Sequence, residues 1–213
     1  MTERKKVLVA GASGVVGLVA MKHFASQGVE TIAISRRTPR ETYGAPHIGL
    51  DLMDAGACAA FAREHSDVTH LVYAALFEKP GLIAGWREVD QIDTNDAMLR
   101  NLMQPLLESA KSLRHVSILQ GTKAYGAHIR PIETPAREDR SEVEHENFYW
   151  KQEAYFREAA KGAEWSWSIF RPQIIFGEAT GAAMNLIPAI GAYGALLKKQ
   201  GEPLHFPGGA HTV

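Results

Sequence analysis

"KVLVAGASGVVG", Lys6 to Gly17, is an aliphatic run that breaks into three glycines at a spacing of three, Gly11, Gly14 and Gly17. The run reads as a buried strand and "GVVGLVAMKHFASQG", which contains the last two of these glycines, as the helix that follows. Between them, glycine serves three needs. It permits a tight turn, lets the backbone approach a pyrophosphate, and lets the helix pack closely on the strand, while the helix N-terminus favours phosphate charge. The pattern alone is weak, but its place directly between a strand and a helix points to dinucleotide binding by Gly11, Ser13, Gly14, Val15, Val16 and Gly17.

The same alternation continues down the chain. "TIAISRR", "HIGLDL", "THLVYAA", "RHVSILQG" and "SWSIFRP" are further strand candidates, and most of the intervals fit helices. "GVVGLVAMKHFASQG" ends at a glycine suited to the position past a helix end, and "DAGACAAFAREHS" opens on an Asp cap. "VDQIDTNDAMLRNLMQPLLESAKSL" is helical, with Pro105 bending or dividing it. Strands that are apolar nearly throughout, each followed by a helix, predict an α/β fold. We expect a Rossmann-type, doubly wound parallel sheet in the order 3-2-1-4-5-6, with helices on both faces. Residues 1–178 form the dinucleotide-binding domain in this reading, and 179–213 begin a C-terminal region.

Ligands of such sheets sit at the carboxyl ends of the strands. After the second strand, Ser35, Arg36 and Arg37 stand where an NAD site would carry an acidic residue. A guanidinium there pairs with the 2′-phosphate of NADP, so NADP(H) is the expected cofactor; the alternative is a pair of solvated surface arginines. Asp51 and Leu52 after the third strand would meet the adenine edge, although Asp51 could equally cap the next helix. Ala74 and Ala75 after the fourth are small enough for backbone to pass close to the cofactor, and Gln120 ends the fifth. His128 to Glu146 reads as a long polar loop over the site, or as simple solvation.

The bulk properties restrict the classes. The 213 residues, 46% hydrophobic and 22% charged with a net charge of −1, describe an ordinary globular chain without a nucleic-acid footprint. "MTERKKVLVAG" has no signal-peptide pattern, and the lone Cys58 cannot form an internal disulfide, so a cytoplasmic location is expected. Cys58 lies on the apolar face of its helix and reads as core. Ala179 to Leu197 is uncharged but diluted by Gly, Ala, Thr and Asn and broken by Pro188, which favours a buried helix or pocket wall over a membrane span. The nine histidines lack ligand spacing, so no metal is expected.

Catalytic chemistry centres on "ENFYWKQEAYFREAAK", Glu146 to Lys161. In a common class of nicotinamide-dependent enzymes a helix tyrosine works with a lysine one turn later, yet the residue four places after Tyr149 is Glu153. "GASGVVG", "SRR", "DLMD", "VTHLVYAALFE", "NDAMLRNLM", "LQGTKAYG", "NFYWKQE" and "WSIFRPQIIFG" together resemble, in order and spacing, the progesterone 5β-reductase and iridoid synthase-like branch of the short-chain dehydrogenases. The chain also resembles the NAD-dependent epimerase/dehydratase family. In the reductase branch the lysine follows strand five, in a motif resembling "TGxKHYxG", and the match here is Lys123, 26 positions before Tyr149. The resemblance implies NADPH-dependent reduction of the C=C bond of an activated enone or enal, with hydride passing to the β-carbon. Tyr149 would stabilise the oxygen that gains charge and Lys123 would tune Tyr149. A phenol with a normal pKa of about 10 needs such a cation to donate strongly.

Further expectations are softer. Pro172 and Ile174 or Ile175 would meet the nicotinamide carboxamide through their backbones, and Phe77, Trp86, Tyr125 and Met184 would wall the substrate pocket, although aromatic and Met residues are often plain core. Two positions depart from the family pattern: Ala124 stands where His is frequent, and Trp150 where a second tyrosine is usual. The resemblance further implies that the C-terminal substrate region is short or missing here. Carbonyl reduction or sugar-nucleotide epimerisation on the same scaffold, and a non-catalytic NADP-sensing protein, are the rival functions. A small-molecule substrate and a homodimer are expected by analogy, with neither nucleic acid nor membrane as partner.

Overall fold

The computed structural model of the chain describes residues 4–79, 85–139, 144–179 and 185–208. Its centre is a six-stranded sheet in the order β3-β2-β1-β4-β5-β6, with every pairing parallel. The strands are β1 Lys6–Ala10, β2 Glu30–Ser35, β3 His47–Gly49, β4 His70–Tyr73, β5 His115–Leu119 and β6 Ser166–Phe170. All six expected strands are present. β1 is flanked on both sides, from Lys6 opposite Glu30 to Ala10 opposite Ile34, and from Val7 opposite His70 to Ala10 opposite Tyr73. The chain thus changes direction of winding between β1 and β4, which opens a crevice at their carboxyl ends.

Because side chains alternate across a strand, β1 feeds two cores. Leu8 and Ala10 join Ile32, Ile34, Leu71, Val116 and Ile118 in the larger one, closed by α2 Ala55–Glu64, α3 Val89–Ser109 and α4 Phe148–Ala159. Val7 and Val9 join Ala33 on the other face, beneath Met21 of α1 Val15–Ser26. A last helix, α5 Leu186–Gln200, follows.

The helix boundaries follow from local chemistry. Asp54 caps α2 by accepting the Ala57 N–H, so Asp51 is left outside the helix, with its carboxylate on the Met53 N–H. Gly28, at φ +69°, takes the left-handed turn after α1. α3 runs through Pro105 undivided, although the ring supplies no N–H to the preceding turn. Cys58 is fully buried; burial, then the charges of Asp54 and Asp51, pushes its thiol up to about 11. Among the described residues no helix is long and apolar enough to cross a membrane, and no cluster of three metal-ligating side chains exists.

Candidate active site

The crevice widens into a cavity of about 790 Å³, lined by the ends of β1, β2, β4 and β5 and by the segment after β6. At its centre Gly11, at φ +85°, lies so close to β4 that an added β-carbon would meet the Ala74 carbonyl carbon at 2.6 Å. A β-carbon on Gly17 would meet the Gly11 oxygen at 2.2 Å. Gly17 therefore lies behind the turn and locks α1 against it, while Gly11, Ser13, Gly14, Val15 and Val16 line the cavity. Gly14 is the N-cap of α1 and offers no side chain to the first-turn N–H groups, whereas α2, α4 and α5 are capped by Asp54, Asn147 and Asn185. This open helix end is the part of the cradle suited to a pyrophosphate.

Ser35, Arg36 and Arg37 line one end of the cavity, next to Asp51 and Leu52. The Ser35 hydroxyl donates to the Arg37 carbonyl at 2.7 Å and lies 2.9 Å from His47 Nε2, which fixes the turn carrying two exposed arginines. Ala74, Ala75 and Phe77 line the middle. Gln120, Lys123, Tyr149, Pro172, Ile174 and Ile175 line the far end. Trp86 and Tyr125 are not lining residues, and Met184 lies outside the described residues. Trp86, 1% exposed, instead lies behind the lining, with its ring 5.2 Å from that of Tyr149 and the Lys123 ammonium 3.9 Å from its centroid. Tyr125 is buried beneath the Arg171 guanidinium.

Tyr149 sits in the first turn of α4. Asn147 holds this end by accepting the Tyr149 N–H at 3.0 Å while its amide donates to the Lys123 carbonyl at 3.0 Å. One carboxamide therefore ties the tyrosine helix to the lysine turn, a 3-10 segment from Thr122 to Tyr125. Trp150 adds a second tie, its indole N–H donating to the Ala124 carbonyl at 3.0 Å, so the two positions that depart from the family pattern touch each other. Gln120 donates to the Tyr149 carbonyl at 3.0 Å, and an added β-carbon on Gly121 would lie 3.7 Å from the Tyr149 hydroxyl. Burial, and secondarily the charge of Glu78, holds the Tyr149 phenol above its ordinary range. Burial draws the Lys123 ammonium below its own range, with Glu78 opposing.

The match to the NAD dependent epimerase/dehydratase family model spans residues 7–200. The chain belongs to that family. Among curated relatives, a 3-oxo-Delta(4,5)-steroid 5-beta-reductase of Arabidopsis thaliana is 31% identical over 94% of this chain and 54% of its own length. An (S)-8-oxocitronellyl enol synthase of Camptotheca acuminata is 30% identical over the same shares. The chain spans about half the length of the curated relatives it matches. Among solved structures, a UDP-glucose-4-epimerase from Stenotrophomonas maltophila with bound NAD is similar at a TM-score of 0.68 and 18% identity, covering 91% of this chain and 62% of that one. That likeness concerns the fold.

Several residues of this epimerase/dehydratase-family site escape a reading by motif. Glu153, at the place of the absent lysine, receives Arg171 Nη2 at 2.7 Å and Arg157 Nη2 at 2.6 Å. Arg171 Nε in turn donates to Gln120 Oε1 at 2.9 Å. Glu153 thus anchors a strut, through Arg171 and Gln120, to the backbone of Tyr149. Asn95 and Gln91 of α3 clamp the loop after β4. Asn95 accepts the Phe77 N–H and donates to the Phe77 carbonyl, both at 2.8 Å, and Gln91 accepts the Lys79 N–H at 2.9 Å. Between these clamps, Glu78 accepts the Trp86 indole N–H at 2.8 Å and lies 4.0 Å from Lys123 Nζ. "NDAMLRNLM" in the resemblance contained Asn95, yet only the folded geometry shows that its partner is a backbone 18 residues upstream.

Proposed function

We propose that this chain carries the cofactor site and reaction centre of an NADPH-dependent reductase that acts on the C=C bond of an activated enone or enal. The observation that supports it is the convergence of Tyr149 and Lys123, from α4 and from the turn after β5, on the cavity that begins at the glycine turn. The relative named as a 3-oxo-Delta(4,5)-steroid 5-beta-reductase supports a conjugated ketone as substrate class. The cradle fits a nicotinamide dinucleotide. Gly11 allows the β1 turn against β4, the uncapped first turn of α1 suits the pyrophosphate, and Arg36 and Arg37 suit a 2′-phosphate.

When bound, the nicotinamide supplies the hydride. Tyr149, kept protonated by its burial, donates a hydrogen bond to the carbonyl oxygen of the acceptor as that oxygen gains negative charge. Lys123 supplies positive charge beside it and stabilises the same developing charge. The clamp by Asn147 fixes both groups relative to one another without help from substrate.

The test is NADPH oxidation with 2-cyclohexen-1-one, progesterone and an open-chain dialdehyde enal, followed by product analysis. A saturated ketone or aldehyde is the expected product; an allylic alcohol would replace the reading with carbonyl reduction. Tight NADPH binding without turnover of any acceptor would favour a sensor. Tyr149→Phe and Lys123→Ala should each lower turnover about 10²-fold or more while NADPH affinity changes little. Unimpaired turnover in both variants overturns the assignment of the pair.

A further inference from the structure

We propose that Glu78 is a positioning residue of this centre: its carboxylate holds the Lys123 ammonium against the indole of Trp86, beside Tyr149. The inference rests on the reading of Lys123 and Tyr149 as the reacting pair, and it concerns a residue of the loop after β4 rather than any catalytic motif. Glu78 lines the cavity, yet its side chain is only 12% exposed, and that of Lys123 is 17% exposed. A carboxylate so far withdrawn from water requires partners. It has the Trp86 N–H at 2.8 Å and the Lys123 ammonium at 4.0 Å, and that ammonium lies 3.9 Å from the Trp86 ring centroid. Carboxylate, indole and ammonium form one triangle, in which Trp86 offers its N–H edge to the anion and its negative face to the cation.

The loop cannot readily release this carboxylate. Asn95 is bonded to both backbone groups of Phe77, and Gln91 to the N–H of Lys79, so the residues before and after Glu78 are both fastened to α3. Lys79 is further paired with Glu88 and Asp90 at the start of that helix. The main chain is pinned on either side of one acidic residue that faces the lysine.

The consequence is electrostatic. Burial of Lys123 favours its neutral form, and a carboxylate at this range favours the charged form. The same carboxylate disfavours the phenolate of Tyr149. Both effects act in one direction: Glu78 preserves the charged lysine and the protonated tyrosine as pH rises. Among the described residues, the titratable and charged groups on the surrounding elements include His128 and His145 after β5, Arg87 after the loop and Arg171 after β6. His128 is pushed down to about 4 by burial and then by His145, Lys123 and Arg87, so it is neutral where Lys123 titrates. Arg171 is engaged with Gln120 and Glu153, and Arg87 donates to the His128 carbonyl at 3.2 Å.

The experiment is competitive acetylation of Lys123 as a function of pH, read on its peptide by mass spectrometry, in the wild type, Glu78→Gln and Glu78→Asp, beside the pH profile of turnover. Gln keeps an acceptor for Trp86 and removes the charge. We expect the Lys123 midpoint and the basic limb of turnover to fall by about 1 pH unit in Glu78→Gln, the lower end of the effect of an adjacent charge. Glu78→Asp should restore most of both. Unchanged labelling midpoints in Glu78→Gln overturn the inference, whatever the enzyme reduces. A shifted midpoint in a protein that turns over no acceptor upholds the pairing and removes the reductase reading instead.

Discussion

Glu153 and Arg36 illustrate what one side chain determines at this site. Where a helical lysine is absent, Glu153 is neither a spare surface residue nor a replacement base. It is the anchor of the Arg171–Gln120 strut, and its side chain is 16% exposed. Its acidity was plain in the sequence, but its purpose depends on Arg171, 18 residues later and on the far side of β6. Arg36 is read from position alone: it follows β2, whose end borders the cavity in this topology, and that place suggests a phosphate. Arg36→Ala should weaken NADPH binding about tenfold, as expected for loss of one charge-assisted contact, and leave NADH binding nearly unchanged. Isothermal titration with both dinucleotides measures this, and equal losses would contradict the phosphate role.

Elements were legible to the extent that their chemistry is local. The strands declare themselves by apolar runs, and the Asp54 cap and the Gly28 stop each act within one turn. β3 ends at Gly49, which leaves Asp51 and Leu52 after the strand, and Asp51 folds back on the Met53 N–H as the chain turns toward α2. Pro105 left two possibilities open; α3 stays a single helix because it is buried at Leu102, Met103 and Leu106, and packing outweighs one missing hydrogen bond. The helix that follows the glycine turn packs closely on it at Gly17. Gly17→Ala would force a β-carbon to 2.2 Å from the Gly11 oxygen, so α1 must move away from β1. A loss of about 1–3 kcal/mol is expected by urea denaturation, with weaker dinucleotide binding from the displaced turn. The Glu78 triangle had no such local sign, since Glu78 and Trp86 belong to the connection between β4 and α3 while Lys123 comes from the turn after β5.

At the scale of the molecule, the described residues cover the two sheet faces unequally. α2, α3 and α4 close one face, and α1 covers β1 and β2 on the other. On that second face the residues of β4, β5 and β6, such as Val72, Ser117 and Phe170, keep partial or full exposure. α5 buries Leu197 but leaves Leu186, Ile187, Ile190 and Leu196 exposed, and Leu204 and Phe206 beyond it are exposed as well. Apolar surface of this kind should bind an anilinonaphthalene dye in the native state. Ile187→Ser with Ile190→Ser should reduce that fluorescence while changing unfolding free energy by only about 0.5 kcal/mol, as calorimetry or urea titration would measure. The same scale governs the spacing of Lys123 and Tyr149. Had the cation followed Tyr149 on its own helix, its spacing would be counted off by the pitch of that helix and would survive any loosening of the core. Lys123 and Tyr149 instead lie in different elements of the β5–β6 connection, the turn after β5 and α4, and are joined by Asn147, so the gap between them gauges tertiary order. A swollen state that kept every helix would no longer hold that distance.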